Sequence, residues 1–136
     1  MLSLSKRTDY ALLALCDLAR AADAGRGAVS AREIAERYDI PVEFLAKILQ
    51  ALVRGNILVS VSGATGGYRL ARPAETISVG DVVAVVDGPP ALAPCLRLVG
   101  GDCAQQPKCT LRGPLARINA RIGEMLNTIS VAEITE

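Results

Sequence analysis

Residues 40–72 are "IPVEFLAKILQALVRGNILVSVSGATGGYRLAR", and their hydrophobic period changes once, just after Gly55. Before that point, apolar residues from Leu45 to Val53 recur at i, i+3, i+4, i+7 and i+8, which places one stripe of a helix against a core. After it, the chain is β-branched and alternating, "GATGG" is typical of a turn, and "YRLA" is typical of a second strand. The stretch therefore predicts a helix followed by a two-stranded hairpin over residues 57–72.

Two further helices precede this stretch. Apolar residues recur at helical spacing over residues 6–22, and Ser30 followed by Glu33 is a capping box that opens a short second helix. Pro41 suits the first position of the third helix, and Gly55 suits the left-handed residue that closes it. Helix, helix, turn, helix and hairpin is the order of a winged helix-turn-helix.

Two more helices are predicted after the hairpin. Ser78 begins a short one that Gly88 and Pro89 end, and Pro114 opens a long final one. The apolar side of the final helix repeats about every 3.5 residues and is too long for a small core to cover, so we expect it to pack against its own copy in a homodimer. The residues of this stripe are Leu115, Ile118, Ile122, Met125, Leu126 and Ile129. The fold class is therefore mainly α, a winged helix-turn-helix with a long C-terminal dimerisation helix.

Charge is distributed unevenly along the 136 residues. The formal net charge is only +1, but residues 1–72 hold ten Lys or Arg against seven Asp or Glu, a net +3, while residues 73–136 hold five against seven, a net −2. Positive charge therefore lies in the amino-terminal half, and a dimer would double it. No apolar run approaches the length of a membrane span and no signal-cleavage pattern is visible, so we expect a cytoplasmic protein without membrane contact.

The polar face of the third predicted helix is the candidate DNA-reading face. In a helix-turn-helix, the second helix of the motif enters the major groove and its exposed side chains reach the base edges. Here those residues are Glu43, Ala46, Lys47 and Gln50. The same pattern also fits an ordinary solvated helix face. The predicted wing and the basic half of the chain favour double-stranded DNA as the partner.

The hairpin tip supplies a second set of candidates. Its three glycines and lack of large apolar side chains suit a loop whose backbone approaches phosphates closely. Arg69 and Arg72 on the following strand are candidates for phosphate contacts, and both also fit ordinary surface charge. The predicted DNA contacts of the wing and of the first helix are Ser62, Thr65, Gly66, Gly67, Tyr68, Arg69, Lys6 and Arg7.

Three of the four cysteines, Cys95, Cys103 and Cys109, lie in a loop of Gly, Pro, Gln and Lys that is a poor place to bury them. Their spacing is wider than that of paired zinc ligands and fits an iron–sulfur cluster better, although thiols that oxidise incidentally would also fit. Since the chain has no His, a fourth ligand must be an oxygen, a distant thiol or an external molecule. We expect Asp9 of a crossed-over partner; Asp9 also suits a helix amino terminus. Cys16 lies in an apolar run and is expected to be a buried hydrophobe.

Several of these stretches resemble one known family. "TDYALLAL", "IPVEFLAKILQALVRGNIL", "SVSGATGGYRL" and the three spaced cysteines before a long helix are similar to the Rrf2 family of bacterial transcription regulators. The resemblance covers nearly the whole chain. It implies a homodimer that binds a palindromic operator under the control of an iron–sulfur cluster, held by Cys95, Cys103 and Cys109. It also implies three regions: a DNA-binding domain over residues 1–88, a cluster-binding loop over 89–112, and a dimerisation helix with its tail over 113–136.

The chain departs from parts of the family pattern. IscR-like members have a His three residues after the last Cys, where this chain has Arg112, which cannot ligate. The NsrR-like pattern, in which an Asp of the partner's first helix completes a four-iron cluster, matches Asp9. The resemblance therefore favours a 4Fe-4S over a 2Fe-2S cluster. Ser62 stands where relatives often have an Arg, and Ala46 where IscR-like members have a Glu, so the operator sequence does not carry over.

Three other functions are weighed against a cluster-controlled regulator. A metal-free thiol switch of the same fold would use the same cysteines. A small cluster carrier would have no use for a glycine-tipped wing. An enzyme is the weakest interpretation, because the chain has no His to act as a base and shows no pairing of a nucleophile with a base.

Overall fold

The computed structural model describes residues 4–89 and 110–135, and within them it confirms the mainly helical winged helix-turn-helix with a long C-terminal helix. A single 3₁₀ turn, Ala74–Thr76, follows the hairpin. The helices and strands are α1 Lys6–Asp23, α2 Ala31–Tyr38, α3 Val42–Arg54, β1 Leu58–Val61, β2 Gly67–Leu70, α4 Val79–Asp87, α5 Arg112–Thr128 and α6 Val131–Ile134. None of the helices in the described residues is long and apolar enough to cross a membrane.

Serine hydroxyls cap most of the helix starts. Ser30 Oγ accepts from the Glu33 backbone N–H at 3.1 Å, as predicted, but the predicted capping box is only half formed. The Glu33 carboxylate accepts from Arg26 at 2.8 Å instead of returning to the Ser30 backbone, because two arginines compete for it. Reciprocal boxes are found at Ser78 with Asp81, which opens α4, and at Ser130 with Glu133, which opens α6.

The ends of α3 differ from the prediction by one residue each. Pro41 is the residue before the helix, not its first residue. Gly55 has a φ of −85°, and the left-handed residue is Asn56, with a φ of 62°. Glycine is required at position 55 for a steric reason instead, because a Cβ there would lie 2.6 Å from Val85 Cγ2 on α4. The glycine therefore permits close contact between α3 and α4.

The core is built on the predicted stripe of α3. Leu45, Leu49 and Leu52 are fully buried, and Ile48 is 4% exposed. They pack with residues of α1, α2, β1 and α4 and of the segments that lead into β1 and α4, namely Leu15, Ile34, Ile57, Leu58, Ile77 and Val82. The aliphatic core leaves the opposite face of α3 to solvent, as the amphipathic pattern requires.

The hairpin is antiparallel and is fixed at its base. Its register pairs Leu58 with Leu70 and Val61 with Gly67. Val29, which lies between α1 and α2, forms an isolated bridge with Tyr68 on β2. The wing therefore joins the helix-turn-helix through backbone hydrogen bonds as well as through side chains.

The end of α5 is joined to the start of α4. The Val79 N–H donates to the Ile129 carbonyl at 2.8 Å, and the Val131 N–H donates to the Ile77 carbonyl at 2.7 Å. Val131 is fully buried in the main core. This return of the chain through α6 was not predicted, and α5 begins at Arg112 rather than at Pro114.

Candidate nucleic-acid interface

On α3, the recognition helix, three of the four residues predicted to contact bases are exposed. Glu43, Lys47 and Gln50 are exposed, and Ala46 is half-buried. Residues at these spacings share one side of a helix. The side chains offer a carboxylate acceptor, an ammonium donor and an amide that can do both, which together can address the major-groove edges of base pairs.

The recognition helix is held in place by α1 and α2 beneath it. Asp17 on α1 is 3% exposed, and its Oδ1 accepts from Arg37 and from the Tyr38 hydroxyl, the latter at 3.2 Å. Arg37 also pairs with Glu33 at 3.2 Å. The hydrogen bond to Asp17 raises the pKa of Arg37, and the hydrogen bond from Arg26 lowers the pKa of Glu33. This charged cluster locks α2 to α1, and the short turn from Asp39 to Pro41 then fixes the position of α3.

Phe44 is an exposed residue of α3 that sequence reasoning did not single out. It is 36% exposed and lies in the first turn of the helix, beside Glu43. Its ring meets Tyr10 of α1 edge to face, with centroids 5.8 Å apart. The signal in the sequence was that the chain's single Phe falls outside the buried stripe. An aromatic residue off the core side of a helix needs another partner, and Tyr10 is that partner.

The wing presents its tip to solvent. Ser62, Thr65 and Arg69 are exposed, while Gly66, Gly67 and Tyr68 are half-buried. A Cβ on Gly66 would overlap the Val61 carbonyl, and a Cβ on Gly67 would overlap the Val29 backbone. These two glycines are therefore required by the packing of the hairpin itself, and Tyr68 packs against the core. The tip residues and Arg69 remain the exposed part of the predicted wing surface.

Three other predicted cations differ in their surroundings. Arg72 donates to the Thr76 carbonyl and pairs with Asp81 at 3.4 Å, so it holds the connection between the hairpin and α4. Arg7 pairs with Asp87 at 3.0 Å and is 56% exposed. Lys6 is exposed at the start of α1.

Of the four predicted metal ligands, one, Asp9, lies among the described residues. Cys95, Cys103 and Cys109 lie outside them. Asp9 is exposed in the first turn of α1. Within residues 4–89 and 110–135, no group of three or more His, Cys, Asp or Glu side chains could hold a metal. Cys16 is 8% exposed and buried in α1, as predicted.

The comparisons with known proteins agree with this architecture. Residues 4–136 match the sequence model of the Rrf2 family, described as an iron-dependent transcriptional regulator. The HTH-type transcriptional regulator IscR of Cereibacter sphaeroides is 40% identical over 86 residues, which span 63% of this chain and 56% of that protein.

Solved structures show the same fold. IscR of T. potens superposes with a TM-score of 0.74 at 30% identity, over 98% of this chain and 85% of that one. CymR, the global cysteine regulator of B. subtilis, gives a TM-score of 0.76 at 24% identity over 99% and 97% of the two chains. The relatives are regulators and not enzymes. A family match over nearly the whole length, together with an exposed recognition helix and wing, shows that this chain belongs to the Rrf2 family of DNA-binding transcription regulators.

Proposed function

We propose that the chain acts as a homodimer whose affinity for a palindromic operator is controlled by an iron–sulfur cluster bound to Cys95, Cys103 and Cys109. One observation carries the proposal: three thiols stand between α4 and α5 in a chain whose family is described as iron-dependent. The IscR relatives support it further.

The available donors fit an iron–sulfur cluster. Thiolates are the usual ligands of such clusters, and the chain offers three of them in one segment. Arg112, at the start of α5, carries no ligating atom. An exposed carboxylate on Asp9 of the partner would complete four ligands, and the resemblance of this ligand set to the NsrR-like pattern favours 4Fe-4S over 2Fe-2S. When bound, the cluster would supply a centre that reacts with oxygen or nitric oxide, and the protein would supply the geometry that depends on it.

The surface of α5 supports the homodimer. None of its described residues is buried, and Ile118 and Met125 are 49% and 53% exposed. The other members of the predicted stripe, Leu115, Ile122, Leu126 and Ile129, are half-buried. A second copy of α5 would cover this stripe. The two recognition helices of a dimer must then lie about 34 Å apart to enter successive major grooves.

Iron analysis and DNA binding test the proposal together. Protein purified without oxygen should contain iron and sulfide, and its operator affinity should change by roughly 5- to 150-fold when the cluster is removed. Cys103→Ser should lose the iron, and Cys16→Ser is the matched control because Cys16 is buried in α1. Wild-type protein that takes up no iron after reconstitution would contradict cluster control.

A metal-free thiol switch is the second candidate. It uses the same three cysteines, and CymR, which shares this fold, is described as a cysteine regulator. In that case iron-free protein should change its operator affinity on treatment with peroxide and reverse the change with dithiothreitol. Mass spectrometry would then find the modification on Cys95, Cys103 or Cys109. An affinity that follows iron content and ignores peroxide in the iron-free state would exclude it.

A further inference from the structure

The carboxylate of Asp87, the last residue of α4, is held by the first turn of α1. Its Oδ2 accepts from the Ser5 hydroxyl and from the Thr8 hydroxyl, the latter at 2.6 Å, and its Oδ1 accepts from Arg7 at 3.0 Å. Thr8 is fully buried, and the Asp87 side chain is 21% exposed although its backbone ends the helix. Three donors from one turn thus converge on a single carboxylate.

The Asp87 carboxylate lies at the C-terminus of its own helix, α4, and beside the N-terminus of α1. A negative charge near a helix C-terminus is unfavourable, whereas one near an N-terminus is favourable. Asp87 therefore gains its stabilisation from α1. Burial raises the pKa of Asp87, but the hydrogen bonds from Ser5, Thr8 and Arg7 outweigh it and leave the pKa below its ordinary value. The group is charged at neutral pH, and it ties the last turn of α4 to the first turn of α1.

The same part of α1 also contacts the recognition helix. Tyr10, two residues after Thr8, meets Phe44 in the first turn of α3 with ring planes 85° apart. Edge-to-face ring pairs are directional, so the position of one ring constrains the other. The first two turns of α1 therefore bridge the end of α4 and the start of α3.

The other end of α3 meets α4 without an intermediary. Gly55 follows the last turn of α3, and its missing side chain leaves room for Val85, two residues before Asp87. The last turn of α4 thus contacts the end of the recognition helix directly at Gly55 and reaches its start through α1 at Phe44.

We propose that Asp87 is a positioning residue that couples the cysteine-bearing segment, which leaves α4 directly after it, to the angle of the recognition helix. The inference rests on the proposed function, because the state of Cys95, Cys103 and Cys109 is the signal. The contacts that transmit it, from Asp87 through Thr8 and Tyr10 to Phe44, lie entirely within described residues.

Asp87→Asn tests the coupling with little change of shape. The amide has one accepting oxygen, so it cannot satisfy Ser5, Thr8 and Arg7 together. The measurement is the ratio of operator Kd between iron-free and iron-loaded protein, with iron content determined in parallel. We expect full iron content and a ratio within about threefold of one, against roughly 5- to 150-fold in the wild type. Asp81→Asn is the matched control, because it alters an arginine-paired aspartate on the same helix.

A merely structural role predicts a different outcome. If Asp87→Asn weakened operator binding equally with and without iron, the ratio would stay at its wild-type value and the coupling role would be rejected. The coupling role would also be rejected if Asp81→Asn brought the ratio of operator Kd values equally close to one. A wild-type protein without any iron dependence would instead reject the proposed function, and this separates the two failures.

Hydrogen exchange on iron-free protein provides an independent readout of the contact path. Asp87→Asn should speed amide exchange in the first two turns of α1 and also in the first turn of α3, while Asp81→Asn should speed it only around the start of α4. Exchange that rises in α1 alone would reject transmission to α3. Should Asp87→Asn fail to fold, Thr8→Val removes one of the three donors while keeping Ser5, the N-cap of α1, and should give the same pattern with a smaller amplitude.

Discussion

Val29 and Tyr68 exchange both of their backbone hydrogen bonds: the Val29 N–H donates to the Tyr68 carbonyl at 3.0 Å, and the Tyr68 N–H donates to the Val29 carbonyl at 2.8 Å. This pair adds one residue of a third strand to a two-stranded hairpin. Isolated hairpins are marginally stable in water, so the extra pairing stiffens the wing where it leaves the domain. The wing tip is therefore carried on a fixed base.

Gly67→Ala should disrupt the pairing between Val29 and Tyr68 at the base of the wing. Gly67 has a φ of +147°, and a Cβ there would overlap the Val29 backbone, so the substitution combines strain with a clash. We expect the free energy of unfolding to fall by about 2 kcal/mol or more, and operator binding to weaken. Thermal unfolding checks the first effect. Gly27→Ala is the control, since nothing lies within 4 Å of a Cβ there and its melting temperature should barely change.

Arg37→Ala should loosen α2 from α1. Asp17 is almost fully buried, and removal of Arg37 leaves its carboxylate with the Tyr38 hydroxyl as its remaining partner among the described residues. A buried acceptor that loses its donor costs about 1–3 kcal/mol, and more when the acceptor is charged, a loss that urea unfolding would detect. The exposed Arg32→Ala on the same helix should leave stability nearly unchanged. Equal loss in both variants would show that the pairing with Asp17 is not what matters.

Lys47→Ala and Arg69→Ala should weaken DNA binding in different ways. Lys47 is placed on the exposed face of the recognition helix, so its loss should relax the preference for one base pair by about 1–3 kcal/mol. Arg69 on the wing should contact phosphate, so its loss should weaken all sequences alike and lower the salt slope by about one. Titrations of operator and scrambled duplexes at several salt concentrations separate the two. Arg121→Ala on α5 is a control of equal charge change.

Ile118→Glu should produce a folded monomer. Ile118 is 49% exposed within one chain, so its replacement removes little intramolecular burial, whereas a charge in a helix pair is costly. Sedimentation equilibrium should show loss of the dimer with an unchanged circular dichroism spectrum. Ala116→Glu introduces the same charge at an exposed position outside the apolar stripe and should remain dimeric. A dimer that survives Ile118→Glu would show that another surface joins the two copies.

Acid should destabilise the chain partly through Asp81. Burial raises the pKa of Asp81, but hydrogen bonds from Ser78 and from Arg72 bring it below its ordinary value of 3.8. A group whose pKa is lower in the folded state than in the unfolded state stabilises the fold at pH values above its unfolded-state pKa. This stabilisation is lost as the pH falls through its folded-state pKa. Asp81→Asn should therefore flatten the fall in stability below about pH 5, in urea titrations at several pH values. A fall in the stability of Asp81→Asn as steep as that of the wild type would contradict this role of Asp81.

Local sequence patterns predicted most of the fold because they are strong where burial is complete. The stripe of α3 specifies one buried face, and the β-branched residues of β1 before a glycine-rich turn specify a hairpin although Leu58 alone is buried in that strand, so element type and order follow from them. The ends were harder, since Gly55 is explained by Val85, thirty positions away, and the capping box at Ser30 is broken by Arg26. The start of α6 did carry a signal, because Ser130 and Glu133 form a capping box, but the backbone pairing between Ile77 and Val131 that brings α6 back to the core leaves no periodic trace in the sequence.

The exposure of the candidate DNA-binding residues was predictable to a similar degree. Glu43, Lys47 and Gln50 are exposed because the opposite face of α3 is apolar, and helical geometry alone implies this. The intramolecular partners of Arg7 and Arg72 were not predictable, because a surface cation gives no sign in the sequence of whether a carboxylate lies nearby. The contact between Phe44 and Tyr10 was also not predictable, because it joins two helices that are distant along the chain.

Backbone hydrogen bonds join α5 to the domain at its carboxyl end, and side chains pack the helix against α4. Its 17 residues extend about 25 Å from the bonds at Ile129 and Val131 to Arg112, three positions after Cys109. A rotation of about 10° about that hinge carries the far end through about 4 Å. In the proposed dimer, a change of state at Cys109, three positions before the first residue of α5, would turn that helix as a whole, and two such helices in contact would alter how far apart the two DNA-binding halves stand.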